Sequence, residues 1–146
     1  MTKSRVEDTS GIHVWLILWK ASKAIEQIAI RSISRSGLGL SDFAILELLL
    51  HKGPQPVNVI GKRILLTSGS ITTAVDRLAA KKLVRRENAA ADRRSRIVEL
   101  TPAGRRAIAR AFEQHAADME QALAHLSRTG RSKLVRLLKA AAIGLS

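Results

Sequence analysis

The side chains best suited to chemistry lie in one polar stretch, TSGSITTAVDR, at residues 67–77. Ile71, Val75 and Leu78 recur at helical spacing, which predicts a helix with one buried face. The opposite face carries short hydroxyl side chains and ends in a guanidinium, where Glu and Lys would be enough to keep a helix soluble. Its candidate binding residues are Ser68, Ser70, Thr72, Thr73 and Arg77.

Positive charge is concentrated directly after this helix. The chain has 25 basic and 12 acidic residues, a formal net charge of +13. The segment from Lys81 to Arg96 contains seven basic residues and only two acidic ones, Glu87 and Asp92, a local net charge of +5 (seven minus two). Such an excess indicates a polyanionic partner, with nucleic acid first and an anionic membrane surface second. A generally basic protein without such a partner is the remaining alternative.

Catalytic and metal-binding patterns do not emerge from the sequence. Cysteine is absent, and the four histidines are scattered along the chain without the close pairing of a metal-binding helix. The sequence contains neither a glycine-rich phosphate loop, nor HExxH, nor a serine nucleophile motif. We therefore predict a protein that is not an enzyme and that needs neither a metal nor another cofactor.

Length and composition predict a single compact protomer. The chain has 146 residues, of which 46% are hydrophobic and only 3% aromatic, so its core is built mainly from aliphatic side chains. The longest uncharged apolar run, VWLILW at 14–19, is too short to cross a bilayer. The N-terminus does not resemble a signal peptide. These features predict a soluble cytoplasmic protein with no membrane association.

Hydrophobic periodicity, together with glycine, proline and helix-capping residues, divides the chain into helices and one hairpin. SGLGL at 36–40 ends the first helix, and Ser41 is predicted to cap the second. Gly53, Pro54 and Pro56 end that second helix. Thr101 and Pro102 begin a later helix, and RTG at 128–130 is predicted to interrupt it before the last one. The predicted helices cover 12–35, DFAILELLL after Ser41, 57–64 and the stretch 67–77. Strands at 83–87 and 96–100 follow, then a helix from Pro102 and a last helix that carries Leu134 to Leu145.

This order of elements predicts a mainly α protein with a small β-hairpin wing, a winged helix-turn-helix. Residues 41–101 form the predicted DNA-binding lobe, and the helices at 12–35 and 102–145 flank it. In this architecture the second helix enters the major groove, where Ser and Thr hydroxyls can pair with base edges. Arg77 is predicted to reach a guanine or a phosphate. Asp76 is predicted to orient Arg77, with a contact to a cytosine amine as the alternative.

The run LTSGSITTAVDRLAAKKLVRR, followed by ADRRSRIVELTPAG, resembles the MarR family of bacterial transcription regulators. The resemblance covers about residues 41–104. It implies a homodimer held together by the terminal helices, with Arg94 of the wing in the minor groove and Asp92 steadying the wing. Arg93 and Arg96 are then phosphate contacts or wing supports. Lys82 departs from the family pattern, which has glycine there in a position suited to a left-handed helix cap.

Within the family, IGKRILLTSGSITTAVDRL is similar to a branch that represses genes for handling quinones and other aromatic compounds. The resemblance therefore implies a repressor released from a pseudo-palindromic operator by a small aromatic ligand. A pocket lined by His13, Trp15, Trp19 and Phe43 is the candidate ligand site, with core or dimer packing as the alternative. A ligand-independent regulator, an activator and a nonspecific architectural DNA-binding protein remain open alternatives.

Overall fold

The computed structural model of the protein describes residues 7–64, 68–87 and 96–143. Within these ranges the chain is mostly helical, with one small antiparallel sheet, as the sequence predicts. In chain order the elements are α1 (Gly11–Ser34), α2 (Leu40–Lys52), β1 (Gln55–Pro56), α3 (Val57–Arg63), α4 (Ser68–Ala80), β2 (Val84–Arg86), β3 (Ile97–Leu100), α5 (Pro102–Ala122) and α6 (Arg128–Ala142).

The start of α2 differs from the prediction. Gly39 has an extended backbone (φ −75°, ψ 165°) and occupies the N-cap position, so the helix begins at Leu40. Ser41 lies inside the first turn, and the prediction that it caps the helix is wrong. The cap is decided by the residue whose backbone is still extended, and a glycine fills that position without a side-chain hydrogen bond. The predicted end is confirmed, because Gly53 terminates α2 with φ 76°.

The sheet contains one strand that the sequence did not reveal. Its order is β1-β3-β2, and the predicted hairpin of β2 and β3 pairs Arg85 opposite Glu99. The additional strand β1 pairs Pro56 opposite Ile97. Proline cannot donate to a ladder and is tolerated because β1 lies at the edge of the sheet. The segment after Gly53 therefore leaves the helix and also supplies an edge strand, Gln55–Pro56.

The last two helices begin at well-defined caps. Thr101 caps α5 and Pro102 occupies the first turn, as predicted. Ser127 caps α6, and its Oγ accepts a hydrogen bond of 3.0 Å from the Gly130 amide. RTG at 128–130 is therefore the first turn of α6, and the prediction that it interrupts the helices is wrong. The break lies at 123–127, because a serine that satisfies an amide at a helix start outweighs the glycine that follows it.

One hydrophobic core joins α2, α3, α4, the sheet and the first half of α5. The largest fully buried side chains are Ile45, Leu46, Leu49, Ile60, Ile71, Leu78, Ile108, Val75 and Val98. By contrast, α1 buries only Ser32 and Ile33, and α6 buries none of its described residues. The core therefore belongs to the winged lobe and the part of α5 beneath it. Among the described residues, no helix combines the length and apolarity needed to cross a membrane.

Candidate DNA-binding surface

The helix α4 has one apolar and one polar face. Ile71, Val75 and Leu78 are at most 2% exposed and pack into the core. Ser70, Thr72 and Thr73 are exposed on the other side, with the remaining polar residues of the helix one turn further along. The predicted amphipathic helix is thus present. Ser68 begins the helix, and its side chain lies outside the described residues.

The hydroxyl group of Thr73 on this face is hydrogen-bonded within the helix. The Thr73 Oγ1 donates a hydrogen bond of 3.1 Å to the carbonyl oxygen of Gly69, one turn earlier in α4. Its proton is therefore committed to the helix, and its oxygen can only accept from an outside donor. The Thr73 methyl group is left to make apolar contacts. A base amine or a thymine methyl matches these two properties.

The guanidinium of Arg77 is bound by Asp42 of the neighbouring helix α2. Its Nε donates to Asp42 Oδ2 at 3.2 Å and its Nη2 donates to Asp42 Oδ1 at 2.5 Å. The Asp42 side chain is only 4% exposed, and Lys81 Nζ lies 3.8 Å from Oδ2. The hydrogen bond to Asp42, together with the charge of Asp42, raises the pKa of Arg77 above its usual range. These contacts join α4 to α2 through the side chains of Arg77 and Asp42.

Asp76 has a different partner from the predicted one. The carboxylate of Asp76 pairs with the guanidinium of Arg86 on β2. The prediction that Asp76 orients Arg77 is therefore wrong. Neighbouring residues on a helix point about 100° apart, since one turn takes 3.6 residues. That angle directs Asp76 toward the hairpin and Arg77 toward α2.

Part of the positive charge on the hairpin strands β2 and β3 is neutralised by an acidic residue. Arg85 Nε donates to Glu99 Oε1 at 2.7 Å across the two strands. Arg96 is half-buried, and its carbonyl oxygen accepts a hydrogen bond of 3.1 Å from the Val57 amide. The Arg96 Nε is buried without a hydrogen-bond partner among the described residues. Three other predicted wing residues, Asp92, Arg93 and Arg94, lie outside the described residues.

The turn between α4 and the hairpin places Lys82 in a left-handed conformation, with φ 60°. The Lys82 amide donates to the carbonyl of Ala79, and the Leu83 amide donates to the carbonyl of Leu78. These two bonds form a Schellman motif, which usually ends in glycine. The chain therefore adopts the left-handed helix cap at this position and accepts the strain of a lysine there.

The LTPAG segment locks this turn onto α5. The Thr101 hydroxyl donates to the carbonyl of Lys82 at 2.7 Å and accepts from the Gly104 amide at 3.0 Å. Gly104 is buried, and a Cβ atom on it would lie 1.9 Å from the Leu83 carbonyl oxygen. Where the base of the hairpin meets α5, the fold thus requires the hydroxyl group of Thr101 and the absence of a side chain at Gly104.

A polar cluster joins α1 to α5. Asp118 of α5 accepts hydrogen bonds from Ser32 Oγ at 2.6 Å and from Gln114 Nε2 at 3.1 Å, and it pairs with Arg35. The hydrogen bond from Ser32 is the largest cause that lowers the pKa of Asp118. Since the Ser32 proton goes to Asp118, His115 Nδ1 donates to Ser32 Oγ across 3.0 Å. His115 is therefore satisfied within a single chain.

The four residues of the predicted ligand pocket lie in two places. Trp15 and Trp19 stack on each other with ring centroids 6.1 Å apart, and they are 56% and 51% exposed. His13 lies two residues before Trp15 and points to another side of α1, with its Nδ1 4.0 Å from Asp8 Oδ2. Phe43 is instead buried in the core, where its ring contacts that of His115.

Helix geometry places these two sites far apart within one chain. Ile33, the part of α1 that enters the core, lies 14 residues beyond Trp19, or about 21 Å along the helix. A cavity of about 550 Å³ lies beside Asp118 and Arg35, and none of the four predicted residues lines it. A site that uses all four residues would need a second chain.

Sequence reasoning missed two anchors of α4, Asp42 and Arg86. Asp42 stands at the start of the apolar run FAILELLL, and its carboxylate is buried. An acidic residue on an otherwise apolar helix face is the signal that points to a buried ion pair. Nothing in the local sequence identifies Arg86 as the partner of Asp76, because the surrounding segment is rich in arginine and lysine.

Comparison with known proteins agrees with this geometry. A model of the MarR family matches residues 36–95. The HTH-type transcriptional regulator MhqR of Bacillus subtilis is 36% identical over 129 residues, covering 88% of this chain and 89% of MhqR. YkoM of the same organism, an uncharacterised HTH-type transcriptional regulator, is 33% identical and covers 91% of this chain and 86% of YkoM.

A solved structure supports the fold over most of the chain. It is that of BpsR from Bordetella bronchiseptica, a protein whose DNA binding is described as regulated by 6-hydroxynicotinic acid. The TM-score is 0.79 at 25% identity, and the alignment covers 89% of this chain and 98% of BpsR. The relatives are transcription regulators and not enzymes, as the sequence predicted. The chain therefore belongs to the MarR family of transcription regulators.

Proposed function

We propose that the chain is a homodimeric repressor that binds a pseudo-palindromic operator and is released by a small aromatic, phenolic or quinone-type ligand. The observation that carries the DNA-binding part is α4, whose hydroxyl face is exposed while its apolar face is buried. Ser68, Ser70, Thr72 and Thr73 are the proposed base-reading residues. Two such helices, one per chain, would enter successive major grooves about one helical turn apart.

The wing supplies the second part of the proposed DNA contact. By resemblance to the family, Arg94 enters the minor groove and Asp92 steadies the wing. Arg93 and Arg96 contact phosphates or support the wing, and the half-buried guanidinium of Arg96 favours support. The local excess of positive charge supports this assignment, because each neutralised phosphate releases counterions.

Dimerisation is supported by the apolar faces that one chain leaves uncovered. Apart from Leu40, every exposed large hydrophobic residue in the described part of the chain lies on α1, on α6 or at Ile143 just after α6. Leu137 is 68% exposed and Ile12 is 65% exposed. Uncovered apolar surface of this extent marks an interaction site. A second copy of the chain, presenting the same two helices, is the proposed partner.

Release by a small aromatic ligand is supported by the stacked pair Trp15 and Trp19. The pair offers a flat, exposed apolar surface on which an aromatic ring could stack. In the proposed dimer, residues of the second chain would complete the pocket, whereas Phe43 stays in the core of its own chain. BpsR, whose regulating ligand is an aromatic acid, provides a precedent among relatives of similar fold. A ligand releases DNA only if it binds the DNA-incompatible arrangement more tightly.

Fluorescence anisotropy tests the DNA-binding part of the proposal. The probe is duplex from upstream of the gene itself, and scrambled duplex of equal composition is the control. At about 0.15 M salt, a specific regulator should prefer its operator by about a thousandfold or more. Arg94→Ala should weaken binding to all sequences and lower the salt slope by about one, whereas Thr72→Ala should relax sequence preference. Equal affinity for both duplexes would favour an architectural DNA-binding protein instead.

Tryptophan fluorescence tests the ligand part. The chain contains two tryptophans and no tyrosine, so the intrinsic emission reports on Trp15 and Trp19 alone. Phenols and quinones that release the operator should quench this emission at the same concentrations. Quenching without release would point to a ligand-independent regulator or an activator. Trp15→Phe is the matched variant, and it should reduce both the quenching and the release if the pair lines the pocket.

A further inference from the structure

Two consecutive residues of α4 are each held by a different neighbouring element. Arg77 is bound through two nitrogens to Asp42 on α2, and Asp76 pairs with Arg86 on β2. Asp42 is buried, and Lys81, one turn after Arg77, lies 3.8 Å from its Oδ2. The two ion pairs therefore connect α4 to the helix before it and to the hairpin after it.

These contacts restrain the rotation of α4 about its own axis. The guanidinium is planar, so a two-point contact with a carboxylate fixes its direction as well as its distance. Consecutive helix residues point about 100° apart, so a rotation that relaxes one ion pair would stretch the other. The rotation of α4 decides which side chains of its N-terminal half face outward. The ion pairs thus control the presentation of Ser70, Thr72 and Thr73.

We infer that Arg77 is a positioning residue for DNA recognition: held by Asp42, it sets the rotation of α4, and the hydroxyl side chains of residues 68–73 read the bases. This inference rests on the DNA binding proposed above. The competing role is the direct contact of Arg77 with a guanine or a phosphate that the sequence predicts.

The chemistry of Asp42 favours the positioning role. A guanidinium has five N–H groups, and Asp42 accepts from two of them, those on the Nε and Nη2 edge. Arg77 would therefore have to leave Asp42 to present that edge to a guanine. If Arg77 moved to a base, Asp42 would keep only Lys81, at 3.8 Å, among its described partners. A buried carboxylate that loses its hydrogen-bonded partner is strongly destabilising. Direct reading by Arg77 would therefore cost the lobe one of its internal anchors.

Arg77→Lys separates the positioning role from a phosphate contact while keeping the positive charge, and Asp42→Asn separates it from the reading of a guanine. A lysine can still contact a phosphate as a point charge, but it cannot form the two-point contact with Asp42. The positioning role predicts that operator affinity falls by about tenfold or more, the size of one mismatched base pair, with an unchanged salt slope and unchanged binding to scrambled duplex. Nearly parental operator affinity would overturn the inference. Arg106→Lys, an equivalent change on the exposed surface of α5, is the matched control.

Asp42→Asn gives results of opposite sign for the two roles. If Asp42 only restrains a DNA-reading Arg77, removing its charge should leave operator affinity equal or tighter, and that result would overturn the inference. If the pair positions α4, affinity should fall. The double variant Asp42→Asn with Arg77→Gln should then bind no more weakly than the weaker single variant, because both changes break the same pair. Losses that add fully in the double variant would also count against the inference.

Hydrogen exchange provides a readout that needs no DNA. In the free protein, Asp42→Asn should accelerate exchange of the α4 amides about tenfold more than exchange of the α5 amides, since local opening reflects the contacts of each element. Equal acceleration in both helices would show a general loss of stability and would overturn the positioning role. If the parent protein failed to prefer its operator, the proposed function would fall, while the exchange result would still decide whether Asp42 and Arg77 hold α4.

Discussion

The winged lobe and the terminal helices use the same aliphatic side chains in opposite ways. In the lobe, Ile45, Leu46 and Leu78 are completely buried by residues of the same chain. On α6, Leu134 and Leu138 are about 40% exposed, and none of the described residues of that helix is buried. The lobe therefore closes its core by itself, whereas the terminal helices leave apolar surface that only another molecule can cover.

The largest expected effect is on dimer stability, through the exposed leucines of α6. Replacing Leu134 and Leu138 together by glutamate removes two leucines from the proposed dimer interface. The dimer contains four of these leucines, and each would bury the roughly 40% of its surface that one chain leaves exposed. Since full burial of a leucine contributes about 1.5–3 kcal/mol, the dissociation constant of the dimer should rise by about a hundred- to a thousandfold. Sedimentation velocity over a dilution series measures this change, and the tryptophan emission should shift to the red as Trp15 and Trp19 lose their cover.

The control for this double variant lies on the other face of the same helix. Lys133→Gln with Lys139→Gln alters two exposed residues of α6 and should leave the dimer intact. The leucine variant should also keep the near-native helical signal of the lobe, because its core is complete within one chain. A parent protein that sediments as a monomer at tens of micromolar would refute the comparison.

The second prediction concerns the point where the two regions join. In Gly104→Ala the new Cβ would meet the backbone of Leu83, with the carbonyl oxygen at 1.9 Å and the carbonyl carbon at 2.8 Å. Forcing a methyl group into such a contact costs about 1–3 kcal/mol, so the free energy of unfolding measured in urea should fall by that amount. Gly11→Ala, at a position with open space around it, should leave stability nearly unchanged. A neutral Gly104→Ala would mean that the hairpin and α5 can separate freely.

The third prediction tests the polar cluster that holds α1 against α5. Hydrogen bonding, mainly from Ser32, lowers the pKa of Asp118 below its ordinary value of 3.8. A carboxylate whose folded-state pKa is lowered stabilises the fold above its unfolded pKa, and this contribution is lost as pH falls through the folded value. Asp118→Asn should therefore lower the Tm at about pH 7, and the difference from the parent should shrink as the pH falls below 3.8 and through the lowered pKa of Asp118.

An exposed carboxylate on the same helix serves as the control for the pH dependence of Tm. Glu113→Gln changes an exposed carboxylate on the same helix and should show little pH-dependent difference from the parent. If the difference in Tm between parent and Asp118→Asn stayed constant as the pH fell to the acid end of the folded range, the ionised carboxylate would not be the source of the stabilisation.

The smallest expected effect is a gain in stability within the lobe. Lys82 has a left-handed backbone, which costs a residue with a Cβ more than it costs glycine. Lys82→Gly should raise the free energy of unfolding by up to about 1 kcal/mol, partly offset by the greater freedom of glycine in the unfolded chain. Urea denaturation measures the change. Ala80→Gly, two residues earlier in helical backbone, should shift stability in the opposite direction.

Local sequence patterns predicted the elements well and their long-range partners poorly. The stripe of Ile71, Val75 and Leu78 identified the buried face of α4, and the LTPAG segment identified the cap at Thr101. Both signals lie within a few residues of the structure they specify. The strand at Gln55–Pro56 was missed, because it is too short for a periodicity and exists only through pairing with β3.

The candidate surface shows the same division. The exposed hydroxyl face of α4 was predicted because it is the complement of an apolar stripe on the same helix. The partners of Asp76 and Arg77 were not predicted, since Asp42 lies 35 residues away from Arg77 along the chain. Opposite charges next to each other in sequence suggested a pair, but adjacent helix residues point in different directions.

The sequence by itself determined the class of the protein. Hydrophobic periods, glycine and proline positions, caps and the excess of positive charge act over a few residues, and they specified a winged helix flanked by amphipathic helices. Only the tertiary structure decided which side chains are free to meet a partner. Arg77 and Asp76 are turned toward neighbouring elements, while Trp15, Trp19 and the leucines of α6 are left uncovered. Burial and ion pairing depend on packing between distant segments, and no local pattern encodes that packing.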